Sequence, residues 1–168
     1  NLNVFAEGLA ALPAPDLPGQ TNFISLQGTL PAPVAGSILR AFNAKDAAGI
    51  ARPGVIFSAQ PLALVTTPTA ATVRYAGEFL NYGLVLILEP APDYLMTFTG
   101  LGRAFVAEGD VLQAGDPLGE LGGDIPTAQE FLIETSSVTG ASDPETLYME
   151  LRHQGAPVDP TIWLAPQE

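Results

Sequence analysis

From Phe23 onward the chain alternates short apolar runs with turn signals: Gly36 to Phe42, Gly54 to Phe57, Leu62 to Val65, Thr72 to Tyr75, Leu84 to Leu88, Tyr94 to Phe98 and Leu147 to Leu151. Short runs bounded by Gly, Pro, Asn and Asp predict strands, so the pattern is that of an all-β, mostly antiparallel domain. The run Leu84-Val85-Leu86-Ile87-Leu88 has no polar alternation, which predicts a central strand covered on both faces. Arg74 and Glu78 fall where alternation turns polar, as a half-solvated strand requires. Two phrases, Val106 to Val111 and Leu112 to Gly119, repeat one grammar in which Gly-Asp sits between apolar residues, suiting tight turns with positive φ at Gly109 and Gly115.

Two segments break the pattern. Leu2, Phe5, Leu9 and Leu12 are spaced by three or four before Pro13, Pro15 and Pro18, predicting a short amphipathic helix and a linker over residues 1–20. Residues 21–168 then form the domain, with a long polar surface insertion over about 122–145.

Composition agrees with strands and turns. Gly 17 and Pro 16 make about a fifth of 168 residues, while charged residues reach only 14%. A net charge of −12 repels phosphate backbones and anionic lipid, excluding nucleic acid as a partner. No stretch approaches the ~20 apolar residues of a membrane-spanning helix, so membrane insertion is not expected. The first residue, Asn1, follows no charged leader, and the chain reads as a fragment whose targeting signal is out of view. With no Cys and one His, His153, counting removes thiolate chemistry, Cys-ligated zinc and most His-dependent catalysis.

Over roughly residues 31–164 the phrases resemble, in order, the LytM-type zinc endopeptidases that cut peptidoglycan cross-links. Pro31 to Gly36 resembles the opening strand, Arg52 to Phe57 the "H-x-G-x-D" strand, and Ala71 to Gly77 the "G-x-V-x-Y-A-G" strand. Asn81-Tyr82-Gly83 is similar to the turn before the central strand, and Phe98 to Leu101 to "Y-x-H-L". Thr146 to Arg152 resembles "H-L-H-F-E-x-R", and Gly155 to Pro160 with Trp163-Leu164 resembles the closing "G-x-x-V-D-P-x-x-W-L". The resemblance implies a LytM-like split barrel or sandwich, the duplicated hybrid motif.

It also implies that the chemistry is gone. Where active members place zinc ligands and catalytic His, this chain has Arg52, Ile56, Gly100, Thr146 and Tyr148. A guanidinium does not ligate zinc and isoleucine has no lone pair, so no metal, no cofactor and no catalytic residue is expected. An intact scaffold with substituted ligands resembles the degenerate LytM domains of the murein hydrolase activator (EnvC-like) family. That resemblance implies a periplasmic, noncatalytic activator of peptidoglycan N-acetylmuramoyl-L-alanine amidases in cell separation. The amidase would bind the vacated groove, and a coiled coil outside this chain would link the domain to the division machinery.

An apolar floor, an aromatic wall and a cation suit an amphipathic helix, and the expected contacts are Arg52, Tyr82, Val85, Tyr148 and Arg152. Three of these contacts have a purely structural alternative: Arg152 as a surface partner of Glu150 or Glu145, Tyr148 as filler of the zinc cavity, Val85 as ordinary core. Asp110, Asp116 and Asp159 read as turn formers, and Trp163 as the residue that seals the barrel. The apolar spacing of residues 1–12 suits a self-inhibitory element lying in the same groove. Three rival functions stand beside the activator. An active zinc peptidase conflicts with the ligand count. A biotinyl or lipoyl carrier needs a Lys at a hairpin tip, whereas the only Lys, Lys45, lies far from those hairpins. A passive peptidoglycan-binding module on the same fold is the closest alternative.

Overall fold

The computed structural model describes residues 23–79, 83–122 and 145–165. The expected helix and linker over residues 1–20, the self-inhibitory segment, Tyr82 and residues 123–144 of the expected insertion lie outside the described residues. Among the described residues no helix is long and apolar enough to cross a membrane.

The described chain is almost wholly strand: β1 (Gly36–Arg40), β2 (Val55–Ala59), β3 (Leu64–Thr66), β4 (Ala71–Glu78), β5 (Leu84–Ala91), β6 (Tyr94–Ala104), β7 (Val111–Leu112), β8 (Pro117–Leu121), β9 (Glu145–His153) and β10 (Ala156–Val158). Every ladder between them is antiparallel. The main order is β1-β2-β9-β6-β5-β4-β7, with β10 on β9, and β3 on β8, which itself pairs with β6. Short 3-10 turns at Phe23–Leu26 and Pro160–Ile162 flank the strands. The expected all-β, mostly antiparallel fold is the one observed.

The unbroken apolar run does what its pattern requires. Leu86 and Leu88 enter the main core with Phe57, Met96, Phe98, Leu147, Met149 and Leu151, while Val85 and Ile87 join Leu95 in a second cluster on the opposite face. Tyr75 and Phe79 pack over that second cluster. The β5–β6 ladder shifts register between Leu88 and Ala91, where Pro90 has no N–H to donate.

Strand β6 is where the sheet divides. Its first part, Tyr94 to Thr99, pairs with β9, and its last part, Leu101 to Ala104, pairs with β8. Gly100 is the hinge of that division. The register runs from Val85↔Thr99 to Leu84↔Leu101, leaving Gly100 as an extra residue at φ 107°. A Cβ there would overlap the carbonyl oxygen of Thr146. Only glycine fits a bulge with that φ and that close approach.

The repeated Gly-Asp grammar yields two turns built alike. Gly109 and Gly115 have φ of 94° and 88°. Asp110 Oδ2 accepts from the Ala107 N–H at 2.9 Å, and Asp116 Oδ2 from the Gln113 N–H at 2.8 Å. Asp159 likewise caps the last 3-10 turn by accepting from Thr161 N–H at 2.9 Å. Trp163 closes the core: its ring stacks on Phe23 at 5.2 Å and its Nε1–H donates to Phe23 O at 3.0 Å. His153 stacks flat on Tyr94 at 4.3 Å, an aromatic rather than a catalytic placement.

Candidate functional site

In antiparallel strands side chains that pair across a ladder share a face. One such row runs across six strands: Arg40, Ile56, Tyr148, Thr99, Val85 and Gly77. The next row holds Glu150, Thr97, Ile87 and Tyr75, and beyond it Arg152 faces Leu95. Thr146 opposes Ser58 on the other side of Tyr148. The positions singled out in the sequence therefore converge: Ile56, Thr146, Tyr148, Arg152 and Val85 lie on one sheet face.

Tyr148 is the centre of this face. Its ring lies against Gly54, where an added Cβ would come within 2.6 Å of Cε2 and Cζ and 2.7 Å of the Met149 carbonyl oxygen. The absence of a side chain at Gly54 thus makes room for the ring. The Tyr148 hydroxyl donates to Glu150 Oε1 at 2.9 Å, and Arg152 Nε donates to Glu150 Oε2 at 2.8 Å. Arg152 Nη1 donates onward to Gly155 O at 2.9 Å in the β9–β10 turn. Alternation along β9 makes this possible: residues 148, 150 and 152 point to one side while Leu147, Met149 and Leu151 fill the core.

Burial governs the electrostatics. The side chains of Arg152 and Glu150 are 6% and 5% exposed, so the pair is desolvated and bonded rather than a loose surface pair. Burial, followed by the Glu150 charge and the hydrogen bond to it, pushes the Tyr148 hydroxyl well above the ordinary tyrosine range. It remains a protonated donor. A second buried pair, Arg74 Nη1 to Glu89 Oε2 at 2.9 Å, links β4 to β5. Burial raises the Glu89 carboxyl despite the opposing Arg74 charge.

Of the five expected contacts, the four among the described residues are placed differently. Arg52 is exposed, and its charge is felt by the Tyr148 hydroxyl. Tyr148 is half-buried, whereas Arg152 and Val85 are buried. Gly100 and Thr146 are exposed at the β6 branch. Arg40 and Glu150 also belong to the site and were missed as site residues. The signal for Glu150 was its spacing of two from both Tyr148 and Arg152; for Arg40 it was hidden by the bulge at Leu39, which shifts β1 relative to β2.

A LytM-like framework implies zinc, and the residues present do not fit it. Arg52 brings a positive charge, Ile56 brings no donor atom, and the Tyr148 oxygen is held protonated. Both oxygens of the nearest carboxylate, Glu150, are already bonded to Tyr148 and Arg152. Among the described residues no three His, Cys, Asp or Glu side chains gather as a metal site. What this face offers is a rigid, partly aromatic surface with cations at one end.

Comparison with known proteins places the framework. The family model for peptidase family M23 matches residues 51–160. An uncharacterized protein of Neisseria meningitidis serogroup B is 29% identical over 143 residues, covering 85% of this chain and 21% of its own length. A lipoprotein NlpD/LppB homolog of Pseudomonas aeruginosa is 28% identical over 133 residues, covering 79% of this chain and 38% of its own length. Among solved structures, a putative M23 peptidase from Pseudomonas aeruginosa superposes with a TM-score of 0.68 at 18% identity, covering 98% of this chain and 60% of that one. The framework is thus that of a peptidase-like LytM domain. The chain belongs to peptidase family M23. It spans well under half the length of either curated relative.

Proposed function

We propose that this domain is a noncatalytic activator of cell-wall N-acetylmuramoyl-L-alanine amidases and that the amidase docks on the Tyr148 face. The observation that carries the reading is the bonded Tyr148–Glu150–Arg152 strip, in which Tyr148 stands where the resemblance places a zinc ligand. The buried Glu150–Arg152 pair holds the half-buried Tyr148 in place, and a preorganised Tyr with an exposed Arg beside it suits a strong protein contact. Similarity to a lipoprotein of the NlpD/LppB type supports an activator role and a place in the cell envelope, with the periplasm as the proposed compartment. Arg52, Tyr82 and Tyr148 are the proposed contacts, with the buried Val85 and Arg152 as support. Division machinery would be reached through parts of the protein beyond this domain.

Isothermal titration of the chain with candidate envelope amidases tests docking. Saturable binding that weakens about tenfold or more in Arg52→Glu supports it. Cosedimentation with purified sacculi, together with the absence of binding to every amidase, would instead favour a passive peptidoglycan-binding module.

A further inference from the structure

The charge of this protein is unevenly placed. The chain carries six basic residues and a net charge of −12. Arg40, Lys45 and Arg52 all fall in the β1–β2 hairpin, where the sole acid between Gly36 and Ala59 is Asp46. Elsewhere the cations are engaged: Arg74 and Arg152 in buried ion pairs, Arg103 over the Phe105 ring at 5.5 Å. Asp46 is itself a loop former. Its Oδ1 accepts from the Ala48 and Ile50 N–H groups at 2.8 and 3.0 Å, and the Ile50 bond is the largest cause holding its carboxyl below the ordinary range. The hairpin is therefore a cationic island on an acidic molecule.

The same hairpin is apolar where it meets water. Ile38, Leu39 and Ile50 are 41%, 58% and 53% exposed. Leu39 and Ile50 are close in sequence to Arg40 and Arg52, whereas Ile38, paired with Phe57, lies on the other sheet face from Arg40, paired with Ile56; Arg40 Nη1 reaches Lys45 O at 3.3 Å, Lys45 bridges Ala51, and Asp46 N–H bonds Ile50 O at 2.9 Å. Among the described residues β1 ends the sheet path and pairs with β2 alone. The bulge at Leu39 breaks the even spacing of its outer edge, so a regular added strand is disfavoured and the contact is one of side chains.

We infer that the β1–β2 hairpin, which adjoins the Tyr148 face through Arg40 and Arg52 and extends beyond it through Lys45 and Ile50, is a docking surface for an acidic segment of a partner protein that also carries apolar side chains. Carboxylates of the partner meet Arg40, Lys45 and Arg52, and its apolar groups cover Leu39 and Ile50. Charge complementarity selects this occupant: a basic or neutral segment gains nothing from the island, and the acidic remainder of the chain repels anionic membranes. A single exposed ion pair changes affinity only a few-fold, so the three cations together set specificity and capture rate.

The test is fluorescence anisotropy of a labelled short peptide alternating Leu and Glu, titrated with the full 168-residue chain, against a control peptide with Lys for Glu. Saturable binding of the acidic peptide alone is expected, weakening about tenfold or more in Lys45→Glu/Ile50→Ser and on raising salt. Both side chains are exposed, and an unchanged thermal midpoint verifies the fold; Lys45→Glu alone serves if the pair perturbs it. Equal binding of the Lys peptide, no binding at all, preferential binding of anionic phosphatidylglycerol vesicles, or self-association abolished by the same substitutions would each overturn the inference. The probe contains no amidase, so this result is independent of the proposed activator role.

Discussion

Replacing Glu150 with alanine should damage the protein out of proportion to the atoms removed. Its carboxylate accepts from Tyr148 at 2.9 Å and from Arg152 at 2.8 Å, and Arg152 and Glu150 side chains are 6% and 5% exposed. Without Glu150, Arg152 keeps its bond to Gly155 O but its charge is left in a desolvated site, and the Tyr148 hydroxyl loses its acceptor. Breaking a buried pair from one side costs about 3–5 kcal/mol. Against a typical total of about 5–15 kcal/mol, that removes a large share of the stability. With a urea m-value of about 2 kcal/mol/M, the midpoint should fall by about 2 M at unchanged m. Glu150→Leu/Arg152→Met should recover most of the loss, because the desolvation of both charges disappears together. A midpoint change under about 0.3 M for Glu150→Ala, or a double variant no better than the single, would refute the claim that this pair is desolvated and coupled.

Other consequences can be checked in the same way. Gly100→Ala forces a side chain into φ 107° and into the Thr146 carbonyl, so a loss of about 2 kcal/mol or more is expected by thermal or urea unfolding. Gly54→Ala places a Cβ within 2.6 Å of the Tyr148 ring, and about 1–3 kcal/mol should be lost with a shift in tyrosine near-ultraviolet dichroism. Glu89 has a folded carboxyl pKa raised by burial, so the folded state holds its proton more tightly than the unfolded chain. Its stabilising contribution is present at low pH and is lost as pH rises through the raised value; the stability of the parent relative to Glu89→Gln, measured by urea midpoints, should therefore fall as pH rises above the ordinary carboxylate range. Arg52→Glu, exposed and outside the core, should leave stability within about 0.5 kcal/mol while lowering amidase affinity.

Much of the strand pattern was legible because burial writes itself into alternation. The Leu84 to Leu88 run announced a strand covered on both faces, and the structure divides it between two apolar clusters. The repeated Gly-Asp phrases gave two matching Asp-stabilised turns, since φ above zero and an acceptor side chain are local demands. Strands β7, β8 and β10 fall outside the expected strand runs, β7 and β8 within the turn phrases. Pro117 to Leu121 had been absorbed into a turn phrase, and Ala156 to Val158 has too little alternation to stand apart from the loop around it.

The site was readable in part. That the substituted positions converge followed from alternation along β9, but the fate of Arg152 did not. Sequence spacing offered Glu150 or Glu145 at the surface; the structure selects Glu150 and buries the pair, which depends on what covers the face. Gly100 read as a missing His, and the structure adds a reason for glycine itself: a bulge where β6 exchanges β9 for β8. Arg40 joins the Tyr148 row through a register shift at Leu39, and no local pattern announces such a shift.

The account stands most directly on dye release from labelled sacculi, run with zinc present, comparing the chain alone, an envelope amidase alone, and the two together. A noncatalytic activator gives no release alone and raises amidase turnover when the two are mixed. Release by the chain alone, or no rise with any envelope amidase, would contradict it.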